Sequence, residues 1–202
     1  NSLSPHATYS ISDKLFDLIS KNNRDKISCI HNQETLTEDL FFRKGSGALF
    51  DKVMKNKKFS HTGNSALRTT LPKLSQSPLL LVHNTYTSFD DVKWAESYHS
   101  KLFWCTCPKA NLYIEGRLPD YQNFSDVKMT IGTDSLASNS TLSIWEEIRT
   151  LKKNTEIDIN ILLEWACKNG AEFLQLPHLG SFQKGKCPGV NLINGTDVTV
   201  LI

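Results

Sequence analysis

Short apolar segments alternate with amphipathic stretches along this chain of 202 residues, and that alternation limits the folds open to it. The clearest apolar segment, Leu79 to His83, is almost unbroken, as in a strand buried on both faces of a parallel sheet. Strands that alternate with helices build βαβ units around such a sheet. The sequence therefore predicts an α/β fold.

Five apolar segments are predicted as strands. They are expected to end near His6, His31, His83, Cys105 and Asp134, with Pro108 stopping the fourth. Helices are predicted from Ser10 or Ser12 to Asn22 and over 34–44, 46–56, 88–99, 141–152, 157–168 and 170–175, with a short one at 120–126. The segment 58–77 is expected to be irregular. The Asn194-Gly195 pair predicts a hairpin near the carboxyl end. A closed (β/α)8 barrel needs about 250 residues, so a complete barrel with a tail is not expected.

The composition narrows the classes of partner. The 23 Lys and Arg residues against 21 Asp and Glu residues leave a net charge of +2, too small to indicate a nucleic acid or a membrane surface. The longest aliphatic run, residues 79–82, falls far short of the roughly 20 residues that span a bilayer. Five cysteines without the spacing of a disulfide scaffold favour a reducing, cytoplasmic setting. Because the chain begins at Asn1 without a leader, it is expected to start inside a longer protein.

Polar residues at strand ends are the main functional signal. His6, His31 and His83 each end a predicted strand, and Asp134 ends another. In (β/α)8 barrels the catalytic residues come from these ends, and imidazole with carboxylate suits zinc or iron. A single histidine after an apolar strand is more often structural, but three histidines and an aspartate in the same position favour a site.

Two further patterns leave alternatives open. Glu34 follows His31 by three residues and could carry protons beside an activated water, but a first-turn glutamate favoured by the helix dipole explains the same spacing. Cys105 and Cys107 have no second pair at zinc spacing, so they are not interpreted as a metal site.

Several segments together resemble one family. The chain is similar to the amidohydrolase superfamily, in the branch of S-adenosylhomocysteine, guanine and cytosine deaminases and chlorohydrolases. The matching segments, with the family's patterns in parentheses, are SPHATYS at 4–10 (SPHAPYT), IHNQET at 30–35 (IHxxET, followed by Glu38), LVHN at 81–84 (LVHA), CPKANL at 107–112 (CPRSNL), IGTDSLASN at 131–139 (LGTDSLASN) and GSFQKGK at 180–186 (GSLxxGK).

The resemblance implies a fold and its division. It indicates a metal-dependent (β/α)8 barrel of which the chain carries strands four to eight, followed by a short β-sandwich tail. Residues 1–180 would be the carboxyl-terminal part of the barrel and 181–202 strands of the small β-sandwich domain. The pattern GKKADLV is replaced at 185–190 by GKCPGV, which suggests a divergent tail hairpin.

The resemblance also implies the chemistry. His31 and Asp134 would bind one divalent metal ion, most simply zinc, although iron suits the same ligands. Glu34 would transfer protons and contact the substrate, and Asp134 would accept the proton of the hydrolytic water. His83 would orient that water or stabilise the developing charge. His6 would contact the substrate, a small heterocyclic or nucleoside-like molecule that is deaminated or dechlorinated.

One departure from the family governs the interpretation. The first metal motif, His-x-His, occurs nowhere in the sequence, so half of the usual ligand set is missing. The leading hypothesis is therefore a carboxyl-terminal fragment of a metal-dependent hydrolase, inactive alone and forming homo-oligomers to cover its open edge. The alternative is a non-catalytic partial barrel that binds metal weakly or not at all.

Overall fold

A parallel sheet of four strands forms the centre of the structure. The computed structural model describes residues 2–54 and 61–202. The strands are β1 (Ser28–Asn32), β2 (Leu79–His83), β3 (Leu102–Thr106) and β4 (Met129–Ile131), and they neighbour one another in that order. Sequential parallel strands joined by helices confirm the predicted α/β fold.

Several of the helices begin at a residue that suits a helix start. Ser12, Thr35 and Ser88 each accept a hydrogen bond from a backbone N–H in the first turn. The α-helices are α1 (Asp13–Asn22), α2 (Leu36–Lys44), α3 (Ala48–Met54), α4 (Ala66–Thr70), α5 (Phe89–Tyr98), α6 (Pro108–Glu115), α7 (Ile144–Asn154), α8 (Ile159–Leu163) and α9 (Gly170–Phe173). Short 3-10 helices span Leu71–Lys73 and Tyr121–Phe124, and a π-helix spans Glu164–Asn169.

The prediction of a regular strand ending at His6 was wrong. This segment makes one isolated parallel bridge, between Ala7 and His31, although the N–H of His31 also donates to the carbonyl of His6 at 3.0 Å. Pro5 has no N–H to donate, and the hydroxyl of Ser4 accepts from the N–H of Cys29 at 3.2 Å. The segment therefore follows β1 without forming a ladder.

Two helices were not expected. α4 lies within the segment predicted to be irregular, and its start is capped by Ser65, which accepts from the N–H of Arg68. α6 begins at Pro108, which suits the first turn of a helix as well as it ends a strand. Residues 55–56 of the helix predicted over 46–56, and residues 58–60 of the segment predicted to be irregular, lie outside the described residues.

The two faces of the sheet differ in how much of the chain packs against them. One face packs into the main core against Phe16, Leu67 and Phe124, and its strand residues include Ile30, Leu79, Leu81, Trp104 and Met129. The opposite face, called the inner face below, consists of Cys29, Leu80, Val82 and Cys105, with Cys107 and Ala110 packed against them. Cys29 and Leu80 are only half-buried, so the inner face is partly open.

The predicted hairpin is present near the carboxyl end. β5 (Asn191–Asn194) and β6 (Asp197–Val200) pair antiparallel, and every residue in both strands is exposed. The indole N–H of Trp145 on α7 donates to the carbonyl of Gly195 at 2.8 Å. Within the described ranges, no helix has the length and apolar character needed to cross a membrane.

Candidate active site

Unusual backbone conformations gather at the carboxyl ends of the strands. The described residues include six non-glycine residues with positive φ, and four of them are Gln33 (46°), His83 (76°), Asn84 (58°) and Asp134 (57°). These four lie at or just after the ends of β1, β2 and β4. A side chain in the left-handed region is disfavoured, and such residues concentrate at functional sites. The backbone thus marks the edge of the sheet that the sequence predicts as the site.

Three imidazole rings lie in a row at this edge. The ring centroids of His6 and His31 are 4.8 Å apart, and those of His31 and His83 are also 4.8 Å apart. The parallel register explains the second contact, because Val82 pairs with His31 and His83 comes next on its strand. His6 is exposed, whereas His83 is completely buried.

Glu34 completes a cluster with two of these histidines. Its Oε1 lies 3.6 Å from His83 Nε2, and its Oε2 lies 3.9 Å from His31 Nδ1. One potential ligand atom from each of His31, Glu34 and His83 lies within 4.8 Å of the others. Two imidazoles and a carboxylate are ligands that zinc accepts.

The orientation of His83 is set by Asn111 on α6. The ring Nδ1 donates to Asn111 Oδ1 at 2.9 Å, and Asn111 Nδ2 donates to the carbonyl of His83 at 3.3 Å. The ring therefore carries its proton on Nδ1, and Nε2 presents a lone pair toward Glu34. That Nε2 is buried without a hydrogen-bond partner, which fits an atom that binds an ion or a water. These donors suit a divalent metal ion.

Burial controls the charges in the cluster. Burial lowers the pKa of His83 and of His31, and neighbouring imidazoles lower the pKa of His31 further. Both rings therefore favour the neutral form that binds metals. Burial also raises the pKa of Glu34, against the opposing effect of His31.

Asp134 lies near this cluster but outside its closest set. Its carboxylate accepts a hydrogen bond from the hydroxyl of Ser138, and its charge acts to raise the pKa of both His31 and His83. The structure therefore brings every predicted site residue to one edge of the sheet, with His31, Glu34 and His83 nearest one another.

Glu38 accepts hydrogen bonds from the turn that carries Glu34. It is buried, its Oε1 accepts from the N–H of Gln33 at 3.1 Å, and its Oε2 accepts from the N–H of Glu34 at 2.9 Å. The hydroxyl of Thr8 also donates to Oε1, at 2.5 Å. Glu38 thus joins the segment of His6 to the turn that carries Glu34.

Asn111 orients His83 as Glu38 orients Glu34, and the sequence analysis did not predict this role. The position of Asn111 in the CPKANL segment was a signal that could have identified it.

The cysteine pair and two of the larger cavities lie apart from the cluster. A Cβ added to Gly132 would meet the sulfur atoms of Cys105 and Cys107, so both thiols pack against the turn that leads to Asp134.

One surface cavity of about 450 Å³ is bordered by Lys168 and Lys186, and another of about 580 Å³ is lined by other surface residues. The candidate site is an open edge of the sheet and not one of these cavities.

Fold and site together define a class of protein. It is an α/β protein with a parallel sheet whose carboxyl-terminal edge carries a histidine and carboxylate cluster. The Amidohydrolase family matches residues 2–198. The chain belongs to the amidohydrolase family.

Individual relatives agree with this membership. Aminodeoxyfutalosine deaminase from Deinococcus radiodurans is 30% identical over 185 residues, which are 83% of this chain and 44% of the relative. The structure of aminofutalosine deaminase from Helicobacter pylori, in complex with methylthio-coformycin, has a TM-score of 0.80 at 22% identity, covering 93% of this chain and 48% of that one. An adenosine deaminase from Xanthomonas campestris with bound zinc has a TM-score of 0.72 at 22% identity, covering 94% and 42%. The chain thus spans less than half the length of these proteins.

Proposed function

We propose that this chain is part of a metal-dependent amidohydrolase that removes an amino group from a nucleoside-like heterocycle by hydrolysis. The observation that carries the proposal is the cluster of His31, Glu34 and His83, in which the buried Nε2 of His83 has no partner. The deaminase relatives favour loss of ammonia over loss of chloride.

Each residue of the candidate site is assigned one role in the proposed reaction. His31 and Asp134 would hold the ion, which we infer to be zinc, as bound in the Xanthomonas campestris relative. Such an ion supplies the positive charge that lowers the pKa of a water and makes it a nucleophile. Nε2 of His83 accepts a hydrogen bond from that water and orients it. Asp134 accepts the proton that the water loses as its oxygen bonds to the ring carbon, and Glu34 donates a proton to the amine as the C–N bond breaks, so that ammonia leaves. The proton held by Asp134 then restores Glu34. His6 contacts the heterocycle.

We further propose that the chain supplies strands four to eight of a (β/α)8 barrel, with residues 181–202 in a small β-sandwich. The segment of His6 would be strand four, and β1 to β4 would be strands five to eight. Coverage of 44% of a relative and the lack of a His-x-His motif support this division. On this proposal the isolated chain is inactive, because half of the ligand set lies elsewhere.

A non-catalytic partial barrel is the second candidate. The lack of the His-x-His motif favours it, since His31 and Asp134 alone provide an incomplete coordination shell. The two candidates differ in one respect that can be measured, which is whether the protein encoded by the full gene releases ammonia in the presence of zinc.

The test is an ammonia-release assay on that full-length protein with adenosine, methylthioadenosine and aminodeoxyfutalosine as substrates. Zinc-dependent release that Glu34→Gln abolishes is expected. Glu164→Gln removes the same charge at an exposed helix position paired with Lys168, and it should leave the rate unchanged. Zinc loading without turnover on any amino-heterocycle would favour the non-catalytic candidate.

A further inference from the structure

Gln33, a position to which the IHxxET pattern assigns no role, holds the turn between His31 and Glu34. Gln33 is the left-handed residue of this turn, and it is completely buried. Its N–H donates to Glu38 Oε1 at 3.1 Å, and its carbonyl accepts from the N–H of Tyr86 at 3.1 Å. Both backbone polar groups are therefore fixed.

The side chain of Gln33 is bonded at both ends as well. Its Oε1 accepts from the hydroxyl of Thr87 at 2.9 Å, and its Nε2 donates to Asp91 Oδ2 at 3.4 Å. A left-handed conformation at a non-glycine residue persists only where surrounding contacts hold it. These contacts tie the turn to the loop after β2 and to α5.

Asp91 is a firm anchor for this chain of hydrogen bonds. It is 2% exposed, its Oδ1 accepts from Arg68 Nε at 2.6 Å, and Arg43 Nη2 lies 3.7 Å from Oδ2. The guanidinium of Arg68 in turn lies 5.1 Å from the ring centroid of Trp94. Charge-assisted bonds to a buried carboxylate are strong and directional, so Asp91 has little freedom to move.

We propose that Gln33 is a positioning residue that orients Glu34 toward His83, with Asp91 as its anchor. The proposal deepens the proposed function and rests on it for the role of Glu34. Gln33 follows β1 directly and precedes Glu34, so a change in its conformation rotates the Glu34 side chain away from the imidazoles. Replacing a residue that orients the groups of a metal site typically costs about 10–100-fold in metal affinity or activity.

The experiment exchanges the amide of Gln33 and the carboxylate of Asp91 in two steps. In Gln33→Glu the introduced carboxylate faces Asp91, and repulsion between buried like charges should displace the turn. Adding Asp91→Asn gives the introduced carboxylate an amide donor and keeps one negative charge beside Arg68. Crystal structures of both variants report the position of Glu34, and steady-state kinetics of the full-length protein with saturating zinc report kcat. Gln122→Glu adds the same charge at an exposed position and is the control.

The expected result is a displaced Glu34 and at least about tenfold lower kcat in Gln33→Glu, with both restored by Asp91→Asn and neither changed in Gln122→Glu. If Gln33→Glu does not fold, Gln33→Met removes the polar ends at similar length and should displace Glu34 in the same way. An unmoved Glu34, or a double variant that is not rescued, would overturn the role of Gln33. A full-length wild-type protein without turnover would count against the proposed function, while the position of Glu34 would still decide the role of Gln33.

Discussion

At the scale of single residues, Glu38 is a buried carboxyl group whose surroundings change its pKa. It is 1% exposed, and three donors surround it, from Thr8, Gln33 and Glu34. Burial nevertheless raises its pKa to about 7, because the loss of water outweighs these hydrogen bonds. The folded protein therefore keeps a proton on Glu38 at pH values where the unfolded chain has lost it.

That difference predicts a dependence of stability on pH. A carboxyl group whose pKa is raised by folding stabilises the protein below the unfolded value of 4.5, and this contribution is lost as the pH rises to about 7. The free energy of unfolding should fall by about 3 kcal/mol across that interval. Urea denaturation at a series of pH values measures it. Glu38→Gln should remove this part of the pH dependence, and an unchanged slope would contradict the assignment.

Asp134 and Glu38 are predicted to differ in their effect on activity. In the full-length protein, Asp134→Asn should lower kcat/KM by about 10²–10⁴-fold, because it weakens an ion ligand and a proton acceptor. Glu38→Gln should cost less than about tenfold, since the hydrogen bonds that its carboxylate accepts within the described residues come from backbone N–H groups and from Thr8. Steady-state kinetics with saturating zinc compare the two variants. Equal losses would contradict these roles.

At the scale of elements, the sequence predicted the strands more successfully than their surroundings. β2 and β3 were predictable because a buried parallel strand must be apolar on both faces. α6 was missed because Pro108 is compatible with both a strand end and a helix start, and only the tertiary structure selects the helix. The strand at His6 failed because the neighbouring proline removes a donor, which a pattern of apolar residues does not report.

The sequence patterns indicated which side chains lie together at the edge of the sheet, but not the partners that orient them. Strand ends and motif positions indicated His31, Glu34, His83 and Asp134. The partners that orient them are distant in the chain: Asn111 bonds His83 across 28 positions, and Asp91 bonds Gln33 across 58. Such contacts depend on how helices pack against the sheet, and no local spacing encodes them. Whether the roles assigned to the site residues are right is a matter for the kinetic tests.

The turn after β4 gives a prediction for an element. A Cβ at Gly132 would lie 2.9 Å from the sulfur of Cys105 and 3.3 Å from that of Cys107, closer than side-chain atoms pack. Gly132→Ala should therefore destabilise the protein by about 1–3 kcal/mol. Chemical denaturation measures the loss, and adding Cys105→Ala should recover part of it by making room. Gly170→Ala, where the nearest atom is 3.9 Å away, should cause no such loss, and similar losses at both glycines would rule out the steric cause.

At the scale of the whole molecule, the partly open inner face predicts how the isolated chain behaves. Half-buried Cys29 and Leu80 on that face leave apolar surface in contact with water. The isolated 202 residues should self-associate to cover it and should bind zinc weakly, since His31 and Asp134 are an incomplete ligand set. Sedimentation measures association, and metal analysis after dialysis measures retention. Stoichiometric zinc in a catalytically active monomer would refute this prediction.

Because the thiol of Cys29 lies half-buried on the inner face, its rate of chemical labelling depends on whether that face is covered. Cys105 and Cys107 on the same side are buried, whereas Cys167 and Cys187 are exposed. Iodoacetamide should alkylate Cys29 more slowly than Cys187 and faster than Cys105, and peptide mass spectrometry resolves each site. Any chain segment or second copy that packs on the sheet should bring the alkylation rate of Cys29 down to that of Cys105. The labelling rate of one cysteine would then report when the sheet is covered, without knowledge of what covers it.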